Sequence, residues 1–233
     1  FNTRIRSKQD IVDNSQVPVV GEIGHSLADT NIVVTTHSRD AITEQFRALR
    51  TNLQFYLKER NEKVILLTSS ISGEGKSFTS LNLSMALAIS GKRVVVMEMD
   101  LRKPALSSKL EINNKIGLTN FIINDQLTVN DILVKSNIHE NLLVLPSGPI
   151  PPNPAELILS EKVDELMKEL ISRFDYVIID APPIGIVADA QLLSKYADLT
   201  LYLVRQGYTY KHLLEIPEEL LRKDEILTEE VFN

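Results

Sequence analysis

Residues 63–77 read KVILLTSSISGEGKS. Within the first six residues, 64–67 are apolar on four successive positions, the pattern of a short strand buried on both faces. The next nine carry Gly73 and Gly75, and residues 77–90 form an apolar stretch at helical spacing that stops near Gly91. Strand, glycine-bearing turn and helix in that order predict an anion cradle. Glycine lets the backbone approach phosphate oxygens, and the helix N-terminus adds its positive dipole. Ser72, Gly73, Glu74, Gly75, Lys76, Ser77 and Phe78 are the candidate nucleotide-binding residues. Lys76 supplies a point charge for the outer phosphates, and the Ser77 hydroxyl is a ligand for Mg²⁺. The usual pattern has a further glycine five positions before Gly75; Ser70 stands there.

Further strand-like runs lie at 93–100 (RVVVMEMD), 141–145, 175–180 (DYVIID) and 199–204 (LTLYLV), with helical segments between them, notably 155–172 and 188–195. This alternation predicts one α/β domain: a central, mostly parallel sheet flanked by helices, with the P-loop at the C-terminal ends of its strands. Two of those ends are acidic. Asp180 closes DYVIID, and Asp100 closes VVVMEMD with Glu98 two positions before it. Residues i and i+2 of a strand share a face, so both carboxylates are candidates for one site. Asp180 and Asp100, with Ser77, are the candidate Mg²⁺ ligands. Residues 40–57 predict a helix whose apolar stripe is Ile42, Phe46, Leu49, Leu53 and Tyr56, with Glu44, Arg47 and Arg50 off the stripe. Residues 1–40 are mixed and predict an arm packed onto the domain. The tail 213–233 is charged and helical at first, and a last strand is not discernible in it.

The 233 residues suffice for one α/β domain with a sizeable core. Net charge is −6 and the pI near 5.3, which argues against a nucleic-acid surface. Cysteine is absent, so a disulfide framework is excluded. The histidines His25, His37, His139 and His212 lack metal-ligand spacing. No apolar run approaches the ~18 residues of a membrane span. The sequence starts at Phe1, so a preceding membrane segment is expected to lie outside it.

In this order the motifs resemble the bacterial tyrosine kinases of capsule and exopolysaccharide synthesis, over nearly the whole chain. SGEGKS resembles their Walker A motif, MEMDLRKP (97–104) their Walker A′ and FDYVIIDAPP (174–183) their Walker B. EQFRALRTNL (44–53) resembles the helix that joins subunits in a ring, and SGPIPPNPAELI (147–158) a segment between the acidic motifs. Residues 1–24 resemble the stretch after the second transmembrane helix of the polysaccharide co-polymerase module. The resemblance implies autophosphorylation of a C-terminal tyrosine cluster, in trans within an oligomer, using ATP and Mg²⁺. Residues 1–36 are then the membrane-proximal linker and 37–233 the kinase domain, its C-terminal strand and tyrosine cluster missing. Catalytic roles fall on Lys76, Glu98, Asp100 and Asp180, with Glu98 or Asp100 deprotonating the incoming tyrosine. Glu98 stands where the family usually has Asp. Glu44, Arg47 and Arg50 become the contact to the next subunit. The implied partners are further copies of the chain, an upstream transmembrane module and a cognate phosphatase, at the cytoplasmic face of the inner membrane. Tyr208 and Tyr210 are only a pair, so the substrate tyrosines are expected outside the chain. Two other functions stay open. One is a partitioning or septum-site ATPase, whose partner-reaching lysine is replaced here by Ile71. The other is a nucleotide-dependent scaffold without kinase activity.

Overall fold

A computed structural model describes residues 3–26, 29–57, 64–222 and 228–232. Its strands are β1 (Val19–Glu22), β2 (Val64–Ser69), β3 (Val94–Glu98), β4 (Val134–Lys135), β5 (Leu142–Leu145), β6 (Tyr176–Asp180), β7 (Leu199–Val204) and β8 (Thr228–Phe232). They form one eight-stranded sheet in the order β1-β8-β7-β2-β6-β3-β5-β4. Every pairing is parallel except β4 with β5. The helices are α1 (Lys8–Val12), α2 (Ala41–Tyr56), α3 (Lys76–Ile89), α4 (Leu106–Lys109), α5 (Leu118–Ile123), α6 (Val129–Ile132), α7 (Pro154–Ile158), α8 (Glu161–Arg173), α9 (Asp189–Ser194) and α10 (Glu215–Arg222).

The two faces of the sheet bury alternate residues of the same strands. Ile65, Leu67, Val94, Val96 and Ile178 pack with Phe46, Leu49 and Leu53 of α2 and Leu81 and Leu83 of α3. Val64, Leu66, Val95, Met97, Val177 and Ile179 pack with Val163, Leu166 and Leu170 of α8 and Leu193 of α9. Burial on both sides explains why β2, β3, β6 and β7, buried throughout, are mostly apolar. A parallel sheet so built places its strand C-termini together on one edge, where Ser69, Glu98 and Asp180 end their strands.

Several expectations change here. The helix expected at 155–172 is two helices, because Ser160 is extended (φ −68°, ψ 145°) and α8 restarts after it with Glu161 and Asp164 in its first turn. A last strand does exist: β8 lies parallel to β7 on one side and β1 on the other. The segment 1–36 is therefore built into the fold. It supplies β1, and Ile5 and Ile11 are fully buried with Tyr202, Val204 and Leu214. The buried side of α2 is Thr43, Phe46, Leu49 and Leu53, continued by Leu57, while Tyr56 is 46% exposed. Lys63, expected to begin β2, lies outside the described residues.

The α2 stripe can be checked by urea denaturation. Leu49→Ala should cost ~2–5 kcal/mol, the range for a buried leucine truncated in a core. Tyr56→Ala should stay within ~0.5 kcal/mol, as exposed positions do.

Candidate nucleotide-binding site

The cleft is built where β2 turns into α3. Gly73 (φ 89°) and Gly75 (φ 102°, the N-cap of α3) adopt left-handed conformations that only glycine takes without strain. Ser70 needs no such conformation; its buried hydroxyl hydrogen-bonds the Tyr202 hydroxyl at 2.6 Å. The missing glycine is thus replaced by a side chain with its own partner. The resulting cavity is about 390 Å³ and is lined by Ser72, Gly73, Gly75, Lys76, Ser77, Phe78, Asp100 and Asp180, together with Lys103, Lys109 and Arg205.

Lys76, 8% exposed, donates to Ser69 Oγ at 3.3 Å. Burial lowers its pKa, opposed by the charges of Asp180, Asp100 and Glu74. Asp180 is buried beneath it. The Ser80 hydroxyl donates to its carboxylate at 3.2 Å. Burial nevertheless pushes Asp180 up to about 6. Asp100 is half-buried and also raised by burial; it accepts the Lys103 amide at 3.0 Å. The loop carrying Asp100 is pinned by Arg102, whose fork grips the buried Asp189 carboxylate at 2.8 and 3.0 Å.

Glu98 is not brought to the cleft. Strand β3 ends at Glu98, so the alternation expected to carry it to Asp100 is already broken. Its fully buried carboxylate accepts the Ser107 amide (3.0 Å), the Ser107 hydroxyl (2.6 Å) and the Ser147 amide (3.1 Å). It ties β3 to α4 and to the start of the 147–158 segment. Glu74 also turns its carboxylate out of the cavity, accepting the Ile71 amide at 2.8 Å and the Thr209 hydroxyl.

The helix α2 charges have partners within the chain. Arg47 pairs with Glu44 and donates to Ser38 O at 3.2 Å, and Arg50 donates to Ala86 O of α3 at 3.0 Å.

The sequence reading omitted Lys103, Lys109 and Arg205. Arg205 directly follows β7, so its place at a strand C-terminus was the available signal. A smaller cavity continues the cleft past Phe78 and Arg205 to Gly24, His25 and Ser26.

These oxygen donors suit a hard cation. Among the described residues no cluster of three or more His, Asp or Glu could hold an ion unaided. Ser77, Asp180 and Asp100 line the cavity with oxygen donors of the kind Mg²⁺ takes together with phosphate and water.

The AAA domain family model matches residues 62–206. The tyrosine-protein kinase YwqD of Bacillus subtilis is 38% identical over 191 residues, covering 82% of this chain and 80% of that protein. The tyrosine-protein kinase wzc of Salmonella typhi is 32% identical over 84% of this chain but 27% of its own length. The crystal structure of the chimerical protein CapA2B2 is similar with a TM-score of 0.88 and 31% identity, over 97% of this chain and 98% of that one. The cell division ATPase MinD of Pyrococcus furiosus shares the fold at greater distance, with a TM-score of 0.60 and 24% identity over 72% of this chain and 69% of that one.

Asp180 sets a pH dependence. The folded chain keeps a proton on it up to about pH 6, whereas the unfolded chain loses that proton near 3.8. The folded state binds more protons across this window, so this group's contribution to stability falls as pH rises through it. A cation competes with the same proton. Mg²⁺-dependent ADP affinity, measured by calorimetry, should therefore weaken as pH drops below about 6. Asp180→Asn should weaken it above about pH 6 and flatten that slope, converging with the wild type at lower pH.

Proposed function

The chain belongs to the bacterial tyrosine kinases of capsule and exopolysaccharide synthesis, and we propose that the cleft of Lys76, Asp100 and Asp180 binds Mg-ATP and transfers its γ-phosphoryl group to a tyrosine of another copy. The observation that carries this reading is the convergence of one buried lysine and two acidic strand ends on a glycine-built helix N-terminus. Phosphoryl transfer asks little of a protein beyond positioning and charge stabilisation.

Roles follow from the geometry. The amides of Ser72 to Phe78 cradle the phosphates, and Lys76 balances charge on the transferred group. Ser77 and Asp180, with Asp100 alongside, would hold Mg²⁺, which neutralises the β- and γ-phosphate oxygens when bound. Phe78, packed against Phe46 (ring centroids 6.0 Å), His25 and Arg205 wall the nucleoside end. Asp100 is the base: the tyrosine oxygen bonds to the γ-phosphorus, the β,γ-bridge breaks to release ADP, and the phenolic proton passes to Asp100. Burial makes that carboxylate more basic than usual, which suits the task. Glu98 serves by holding Ser107 and Ser147.

The same reading places a membrane co-polymerase module before residues 1–36, with residues 37–233 as the kinase domain. Activity then lies at the cytoplasmic face of the inner membrane, and a phosphatase resets it. The similarity of residues 1–24 to that linker and the greater length of the Salmonella relative support this. Among the described residues no helix is long and apolar enough to cross a membrane. Assembly as a ring through α2 brings one copy's acceptor to its neighbour's cleft. Glu44 and Arg47 are the contact; Arg50, committed to α3, supports it from behind.

Three substitutions test the site by phosphotyrosine assay with parallel denaturation. Lys76→Met should abolish autophosphorylation and leave the fold intact. Asp100→Asn should cut transfer at least 100-fold, the scale of a lost general base. Glu98→Gln should instead lower stability by ~1–3 kcal/mol, because its amide faces donors. Full activity of both Lys76→Met and Asp100→Asn would refute the assignment.

Assembly has its own test. Arg47→Ala with Glu44→Ala should lower the mass seen by light scattering and reduce transfer in trans, with ADP affinity unchanged. An undiminished oligomer would return the pair to a surface i,i+3 ion pair worth a few tenths of a kcal/mol at most, roughly.

A further inference from the structure

The outer side of the phosphate loop is gripped by the five residues that follow β7. Arg205 Nη1 donates to Gly73 O at 2.6 Å. The Tyr208 hydroxyl donates to Ser72 O at 2.9 Å. Thr209, fully buried, accepts the Arg205 amide at 2.8 Å and donates to the Glu74 carboxylate. The Arg205 guanidinium lies over the Tyr208 ring, 5.1 Å from its centroid. The fit is close: a Cβ on Gly73 would stand 2.8 Å from the Tyr208 hydroxyl oxygen.

The consequence lies in the peptide planes. In a trans peptide the C=O and the following N–H point in opposite directions, and the chain has no cis bond among its described residues. Ser72 O shares its plane with the Gly73 amide, and Gly73 O shares its plane with the Glu74 amide. Holding Ser72 O and Gly73 O on these two donors turns the Gly73 and Glu74 amides the opposite way. The left-handed Gly73 sits between these two planes and resists their rotation least of any residue type. External donors are thus needed to fix them.

We propose that Tyr208 and Arg205 are positioning residues for the nucleotide phosphates, acting by locking the Gly73 and Glu74 amides in the anion-binding orientation. This rests on the nucleotide reading of the cleft. Neither residue needs to touch the transferred group to act this way. The lock raises the fraction of loops competent to bind, and apparent affinity scales with that fraction.

Tyr208→Phe isolates the effect, since it keeps the ring beneath Arg205 and removes only the hydroxyl of a residue 37% exposed. Calorimetric titration with Mg-ADP, the ATP KM and the unfolding midpoint without nucleotide are measured on wild type and variant. Loss of one orienting hydrogen bond should weaken ADP and raise the ATP KM by roughly 3–10-fold, with kcat and the nucleotide-free midpoint unchanged. Thr209→Ser, which retains the hydroxyl, should match wild type. Wild-type binding with Tyr208→Phe affinity within twofold would overturn the inference while leaving the nucleotide reading intact. A nucleotide-free midpoint that falls in step with affinity would also overturn it, since the contact would then be structural. Failure of the wild type to bind Mg-ADP would overturn both.

Discussion

Lys76 is an ammonium held where burial disfavours its charge, and three carboxylates offset that cost. The rest of the structure is arranged around this imbalance. Asp180 reaches Lys76 because β6 runs beside β2 in parallel register, Leu67 opposite Asp180. Asp100 reaches it because β3 runs beside β6, and Arg102 anchors the loop beyond to Asp189. Of these three carboxylates, Asp100 and Asp180 line the cleft, and burial pushes both toward protonation. A polyphosphate carried with a divalent cation supplies charge of both signs to the cleft.

The shared fold with a cell-division ATPase makes the distinction between hydrolysis and transfer a question about particular residues. Ile71 offers no cation to a facing subunit's nucleotide. Its amide instead serves the Glu74 carboxylate, so the position is committed to the internal geometry of the loop. That geometry includes Thr209 and Arg205 from the far end of β7. The loop is thus braced from within its own chain.

The core of this fold was legible because β2, β3, β6 and β7 are buried on both faces and their sequences could hardly be anything but strands. β1 and β8 were not. VVGE and TEEVF are short, and the two glutamates of β8 contradict the apolar pattern that marks a parallel strand. On α2 the stripe was misplaced by one residue at its end, where Tyr56 and Leu57 compete and helical spacing permits either. Glu98 failed for a sharper reason. The two-residue period holds only while the strand continues, and β3 stops at that residue. Local sequence carried no sign that Ser107 and Ser147 would supply it with three donors. Arg205 and Lys109 belong to no motif, and only topology brings them to the loop.

The tyrosines bear on where the phosphoryl group goes. Tyr202 is fully buried and bonded to Ser70, and Tyr176 is buried as well. Tyr196 donates to Asp164. Tyr208 donates its hydroxyl to Ser72 O of the phosphate loop and is not among the residues lining the cavity. Tyr210 lies beneath the Arg4 guanidinium and accepts from it. Each of these hydroxyls or rings is employed in holding the fold, and reaching an in-line position at the γ-phosphate would require breaking those contacts first. Tyr56 stands exposed at the end of α2, the helix proposed to meet the next subunit. The contacts of the other five tyrosines are thus part of the packing that stabilises the chain itself.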